Sequence, residues 1–146
     1  MKLLSALNHR DMEEYIKYLS GITEMNVSTD KKNLLEAVGL ESYDLVLVSK
    51  DLPGSEDPWD IIELLSTGEF KVKRIVYIYG EYDCQCDEFV RFLIERGIYD
   101  IYVGDQITSV DIDRLIFRPA VRETALGYFQ SRYDNERYFA SGYGLR

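Results

Sequence analysis

Hydrophobic positions along the chain fall into two kinds of run, short continuous apolar blocks and stripes at helical spacing, and the two kinds alternate. The clearest block is Asp44-Leu45-Val46-Leu47-Val48, bounded by polar residues, which predicts a central parallel strand buried on both faces. Lys2 to Leu7, Ile22 to Val27, Ile75 to Tyr79 and Ile98 to Val103 predict four more strands. Between them lie helical stripes. Asp11 is the expected cap of the first, with Glu14 answering three residues later and Met12, Tyr15, Ile16 and Leu19 facing inward before Gly21. Thr29-Asp30 caps a second, with Leu34, Leu35 and Val38 inward and Gly39 as its stop. Pro58 suits the first position of a third, which buries Ile61, Ile62 and Leu65. Phe89 to Ile94 lies in a fourth that stops at Gly97, and Thr108-Ser109 caps a fifth carrying Ile112, Leu115 and Ile116.

Five alternations of strand and helix with short connections imply an α/β fold, a doubly wound five-stranded parallel sheet covered on both faces. Arg118 and Pro119 should end the last of these helices, because proline removes a donor and disfavours helix in the residue before it. The organisation expected is therefore a domain over 1–117 and a separate C-terminal helix and tail over 118–146. Val121, Ala125 and Leu126 mark the buried side of that helix. Tyr128, Tyr133, Tyr138 and Tyr143 then recur every five residues, a period that fits neither helix nor strand.

Length and composition sharpen this picture. At 146 residues the chain holds one domain, long enough to bury a core without metals or disulfides. No apolar run approaches the roughly 18–20 residues of a membrane span, and the amino terminus turns polar too soon for a signal peptide, so a cytoplasmic protein is expected. A formal charge of −9 argues against nucleic-acid or anionic-membrane binding. The charge is uneven: from Arg118 onward five arginines face three acids, leaving 12 basic and 23 acidic residues before it. Cys84 and Cys86 are too close to bridge without strain and too few for a zinc site, and His9 is the single histidine. No phosphate-binding glycine loop is present, and one histidine makes a serine triad implausible. No cofactor or metal is implied.

Function in a doubly wound sheet gathers at the carboxyl ends of the strands. There stand Asn8 and His9, Ser49, Tyr79-Gly80, and Gly104-Asp105. The segment Asp44 to Gly54, ending in Leu52-Pro53-Gly54, resembles the response-regulator receiver family, as does Gly97-Ile98-Tyr99-Asp100-Ile101-Tyr102. The resemblance covers about residues 2 to 117 and implies the CheY-like, flavodoxin-like topology. In that family the third strand ends in a phospho-accepting aspartate, an acidic pair after the first strand holds magnesium, a small hydroxyl residue ends the fourth strand, and a lysine before a cis-proline follows the fifth. This chain departs at each place, with Ser49, with Asn8 and His9, with Tyr79 (or Gly80, one residue on) and with Gly104-Asp105. A hard cation needs oxygen anions that these positions do not supply.

The resemblance thus implies a degenerate phosphorylation pocket and a pseudo-receiver that is not an enzyme, acting through protein partners. Asp111 to Pro119 is similar to the end of the amino-terminal domains of TadZ/CpaE-type proteins, whose other half is an ATPase and which help assemble pilus or secretion machinery. The expected partner is accordingly an ATPase, assembly machinery, or a second copy. Two alternatives stand beside this: a receiver phosphorylated off-register on Asp51, and a small-molecule sensor using the vacated pocket with Tyr77, Tyr79 and Tyr82. The expected homodimer face is the outer side of the fourth helix. There Val90, Leu93 and Ile94 are placed inward, leaving Phe89 and Phe92 exposed beside Tyr102. The competing reading has the tail folding back over both rings.

Overall fold

β3 (Leu45–Ser49) forms where the apolar block lies, and all five of its residues are buried. The computed structural model of the chain describes residues 1–70 and 72–130. β3 sits between β1 (Lys2–Ala6) and β4 (Ile75–Gly80), with β2 (Glu24–Val27) and β5 (Asp100–Val103) at the edges, in the order β2-β1-β3-β4-β5. All four pairings are parallel. Parallel neighbours need crossover connections, and α1 (Arg10–Lys17), α2 (Lys31–Leu40), α3 (Pro58–Ser66), α4 (Cys86–Glu95) and α5 (Ser109–Phe117) supply them or follow the last strand. Tyr133, Tyr138 and Tyr143, on which the five-residue recurrence rests, lie outside the described residues.

The two-residue period of the strands sorts the core into two layers. Leu4, Ala6, Val46, Val48, Tyr77 and Tyr79 pack against α2, α3 and α4. Leu3, Leu45, Leu47, Val76 and Ile78 pack against α1 and α5. The register pairs Ala6 with Val48 and Ser49 with Ile78, so the carboxyl ends of β1, β3 and β4 finish level with one another.

Local chemistry sets the helix starts. Asp30 accepts the Asn33 N–H at 2.7 Å, Asp57 accepts that of Trp59 ahead of Pro58, and Thr108 forms a reciprocal capping box with Asp111. The first helix differs from expectation. His9, in extended backbone, is its cap and accepts the Met12 N–H on Nδ1, while Asp11 lies inside the first turn. Tyr15, expected inward, stays 38% exposed because its hydroxyl reaches out to Asp113 at the surface.

The Leu-Pro-Gly turn after β3 is locked by α2. Leu52 is buried, the Lys31 N–H donates to the Pro53 carbonyl, and the buried Lys31 ammonium donates to the Glu56 carbonyl at 2.8 Å. Gly54 has φ +137, and a Cβ there would meet Lys31 Cβ at 2.9 Å, so this turn admits only glycine without strain.

A second polar anchor ties β4, β5 and α5 together at the opposite end of the sheet. Asp100 is 5% exposed and accepts from Arg74 Nε at 2.9 Å and from the Ala120 N–H at 2.8 Å. The same guanidinium donates to the carbonyls of Leu115 and Ile116, the free acceptors at the end of α5. Asp100 thereby also fixes the segment that leaves α5.

That segment leads to a sixth helix, α6, over 122–130. It lies against α4 and β5 and is no part of the sheet. Of the three residues expected on its inner side only Ala125 is buried; Val121 is 57% and Leu126 40% exposed. Tyr128 and Phe129 make the contact instead, because they follow Ala125 at helical spacing while Leu126 is turned away.

α4 corrects the expected interface. Phe89 is 3% exposed, a core residue and not a surface one. Its ring meets Trp59 edge-on at 4.9 Å, Tyr77 at 5.0 Å and Tyr79 at 5.8 Å. The physical reason is phase. The helix begins at Cys86, so Cys86, Phe89, Val90, Leu93 and Ile94 form one continuous buried stripe. Phe92 is half-buried, tilted against Trp59 at 4.8 Å and covered by the Arg96 guanidinium.

Candidate functional site

At the carboxyl ends of the strands the backbone turns away on both sides of the sheet and leaves a cleft of about 360 Å³. The β1–α1 turn contributes Asn8 and His9, the end of β3 contributes Ser49 and Asp51, and β4 contributes Ile78 and Gly80. Gly104 and Asp105 from the β5–α5 connection close it. Four of the five positions expected to meet there, Asn8, His9, Ser49 and Gly104, are brought together.

Tyr79 is not among them. A register shift between Ile78 and Gly80 lets Gly80, at φ +86, line the cleft, while Tyr79 turns to the α3/α4 layer. Its hydroxyl donates to Asp83 Oδ1 at 2.6 Å, and the Lys50 ammonium sits 4.2 Å from its ring centroid. Lys50 also donates to Asp83 Oδ2 at 2.7 Å. The three side chains link the β3–α3 and β4–α4 loops. Burial, and then the hydrogen bond to Asp83, push the Tyr79 phenol well above its ordinary range. The Lys50 hydrogen bond, followed by that of Tyr79, holds the Asp83 carboxyl down at about 2.

The sign of the resulting pH dependence follows. A carboxyl held below its ordinary value of 3.8 binds its proton more weakly folded than unfolded, so its stabilisation is complete above that value and lost as pH falls through about 2. An Asp83→Asn variant should melt below the wild type at neutral pH. The gap should close as pH falls from 3.8 toward 2, read as thermal midpoint against pH. A gap that is unchanged or widens across that window would show that Asp83 is not the titrating group.

Within the cleft the groups are already engaged by their own backbone. Ser49 is 8% exposed, and its Oγ accepts the Asp51 N–H at 3.1 Å. Among the described residues no base is hydrogen-bonded to that hydroxyl. His9 Nδ1 is taken by the Met12 N–H. Asn8 is exposed with φ 54, the left-handed conformation that asparagine tolerates better than most residues. Tyr102 leans over Gly104, where a Cβ would lie 2.7 Å from the tyrosine hydroxyl, and that hydroxyl donates to the Gln106 carbonyl. Asp51 is exposed at the rim.

Comparison with known proteins was made by sequence and by structure. No family model and no curated protein matches the sequence. Solved structures do match. A response regulator from Burkholderia pseudomallei, solved with a phosphorylated aspartic acid, calcium ion and citrate, is 14% identical with a TM-score of 0.61, over 92% of this chain and 73% of that one. The receiver domain of NtrX from Brucella abortus is 23% identical with a TM-score of 0.58, over 86% and 98% of the two chains. A CheY-like receiver domain protein from Methanospirillum hungatei is 16% identical with a TM-score of 0.53, over 93% and 95%.

The fold is that of a response-regulator receiver. On this receiver fold, the divalent cation such domains use would need hard oxygen donors at the end of β1. Asn8 and His9 offer an amide and an imidazole whose Nδ1 is committed to the helix cap. Among the described residues no three His, Cys, Asp or Glu side chains converge to hold a metal. The end of β1 thus presents no carboxylate to a hard cation, and the carboxylates that line the cleft, Asp51 and Asp105, lie exposed at its rim.

Sequence reasoning missed two features of this fold. The Lys50–Tyr79–Asp83 cluster depends on two loops meeting, which no periodicity reports. The Arg74–Asp100 anchor gave no distinct signal either, because each of the five strands has a charged residue at or just before its start: Lys2, Glu24, Asp44, Arg74 and Asp100.

Proposed function

We propose that the chain is a pseudo-receiver, a non-catalytic protein-interaction module that works independently of phosphorylation in the cytoplasm. The observation that carries this reading is Ser49. At the end of β3 stands a buried hydroxyl whose oxygen is spent on the N–H of its own loop. No carboxylate replaces it at that depth, since Asp51 and Asp105 both lie exposed at the rim. Phosphoryl transfer relies on positioning and on charge neutralisation by metal and fixed cations, and neither is assembled in this cleft. The narrower form of this reading, a module beside an assembly ATPase of pilus or secretion machinery, rests on the Asp111–Pro119 stretch alone. No helix among the described residues is long and apolar enough to cross a membrane.

Beryllofluoride with magnesium tests the reading. The thermal midpoint should not move, and Ser49→Asp alone should not restore a response because the β1 end still lacks its carboxylates. A ligand at several times its Kd would stabilise by about 1 kcal/mol or more. A shift of that size in the wild type, abolished by Asp51→Asn, would favour phosphotransfer through Asp51 instead.

A further inference from the structure

β5 is an edge strand, and an uncovered edge is a template for another chain. Here α6 covers it from within. The segment leaves α5 at Arg118, is pinned where the Ala120 N–H meets Asp100, and runs back toward the start of α4. At that end the Tyr128 hydroxyl donates to Asp87 Oδ1 at 2.8 Å and lies 3.3 Å from Cys86 Sγ. The Arg91 guanidinium stacks 4.9 Å from the Phe129 ring centroid.

The attachment is light. Among the described residues of α6, one buried side chain, Ala125, and two half-buried rings, Tyr128 and Phe129, make the packing contact. A cavity of about 630 Å³ remains between α6, Val90 of α4, and β5. An element with so few buried contacts opens at far less cost than the receiver core. The α4–β5 groove seats this segment loosely, with that cavity beside it, and what it accepts from its own chain it accepts from another copy. The connector over 118–121 is short and contains Pro119, the kind of hinge that favours exchange between protomers.

We propose that α6 is a dissociable cap that two copies of this chain exchange, each copy's α6 docking on the α4–β5 groove of the other to give a swapped homodimer. This deepens the interaction-module reading and rests on it. Its readouts use no phosphoryl donor, so the two can fail separately.

The cysteines report on the cap. Cys86 is 0% exposed beneath Tyr128, while Cys84 is exposed and serves as an internal standard. In the wild-type 146-residue chain, N-ethylmaleimide should label Cys84 quickly and Cys86 slowly. Ala125→Glu should raise the Cys86 rate about tenfold or more, since a carboxylate cannot sit where that methyl is buried. Leu126→Glu, on the exposed side of the same helix, should leave it unchanged. Sedimentation across micromolar to millimolar protein should show a dimer that grows with concentration in the wild type and is missing in Ala125→Glu. Should Ala125→Glu fail to fold, Tyr128→Phe, which removes only the hydroxyl, should move both quantities in the same direction by a smaller factor. Unchanged Cys86 labelling in the variants would overturn the cap. A wild type that stays monomeric throughout, or an Ala125→Glu variant that dimerises equally, would overturn the exchange.

Discussion

A Phe89→Glu protein should not fold. The ring is 3% exposed and touches Trp59, Tyr77 and Tyr79, so it is a centre of the α3/α4 layer. Truncating such a ring to alanine costs about 3–5 kcal/mol. A glutamate adds a carboxylate with no partner in an apolar site, which raises the cost further. A domain of this size has about 5–15 kcal/mol in total, so the glutamate removes most or all of it. Urea titration followed by circular dichroism should show a cooperative transition for Phe89→Ala at a much lower midpoint, and none for Phe89→Glu. Phe92→Ala, at a half-buried ring, should cost far less. A Phe89→Glu protein with a wild-type midpoint would mean the ring faces outward after all.

Arg74→Ala should be the most damaging substitution of a charged residue. It strips Asp100, a carboxylate 5% exposed, of its ion-pair partner and frees two carbonyls at the end of α5. Breaking a buried pair by removing one member costs about 3–5 kcal/mol, because the other charge stays behind. The double variant Arg74→Ala/Asp100→Ala should recover part of the loss, since it removes the stranded charge as well. Arg96 and Glu63 form a shorter pair, 2.5 Å apart against 2.9 Å, but both are well exposed, and Arg96→Ala should change the urea midpoint little. If Arg74→Ala and Arg96→Ala behave alike, the Asp100 anchor is not the tie between β4, β5 and α5 that its geometry describes.

What the sequence could reveal followed from which signals are local. The apolar blocks of β1, β3 and β4 specify strands because a strand buried on both faces has no polar alternation to confuse it; β3 is the purest case, while the edge strands β2 and β5 are only partly buried. Capping chemistry placed the starts of α2, α3 and α5. α1 escaped because histidine is an uncommon cap, and its Nδ1 competes for the role only where the backbone is extended. In α4 the error had a larger consequence. Taking only Val90, Leu93 and Ile94 as inward missed the i, i+3, i+4, i+7, i+8 stripe that begins at Cys86 and turned a core phenylalanine into a surface one. The site was readable where it depends on strand ends alone: Asn8, His9, Ser49 and Gly104 do share one cleft. It was unreadable where side-chain direction depends on irregular backbone. In a strand buried on both faces both parities are apolar, so nothing in Tyr77-Ile78-Tyr79-Gly80 says which residue looks into the cleft, and the shift after Ile78 decides it.

On the pseudo-receiver reading, the cleft around Ser49 takes no phosphoryl group. Intact-mass spectrometry of the 146-residue chain, after incubation with acetyl phosphate and magnesium, reads this directly, with Ser49→Asp as a companion sample. Both proteins should keep their unmodified mass. A stable or acid-labile gain of one phosphoryl group on the wild type, mapped to Ser49 or Asp51, would contradict that reading.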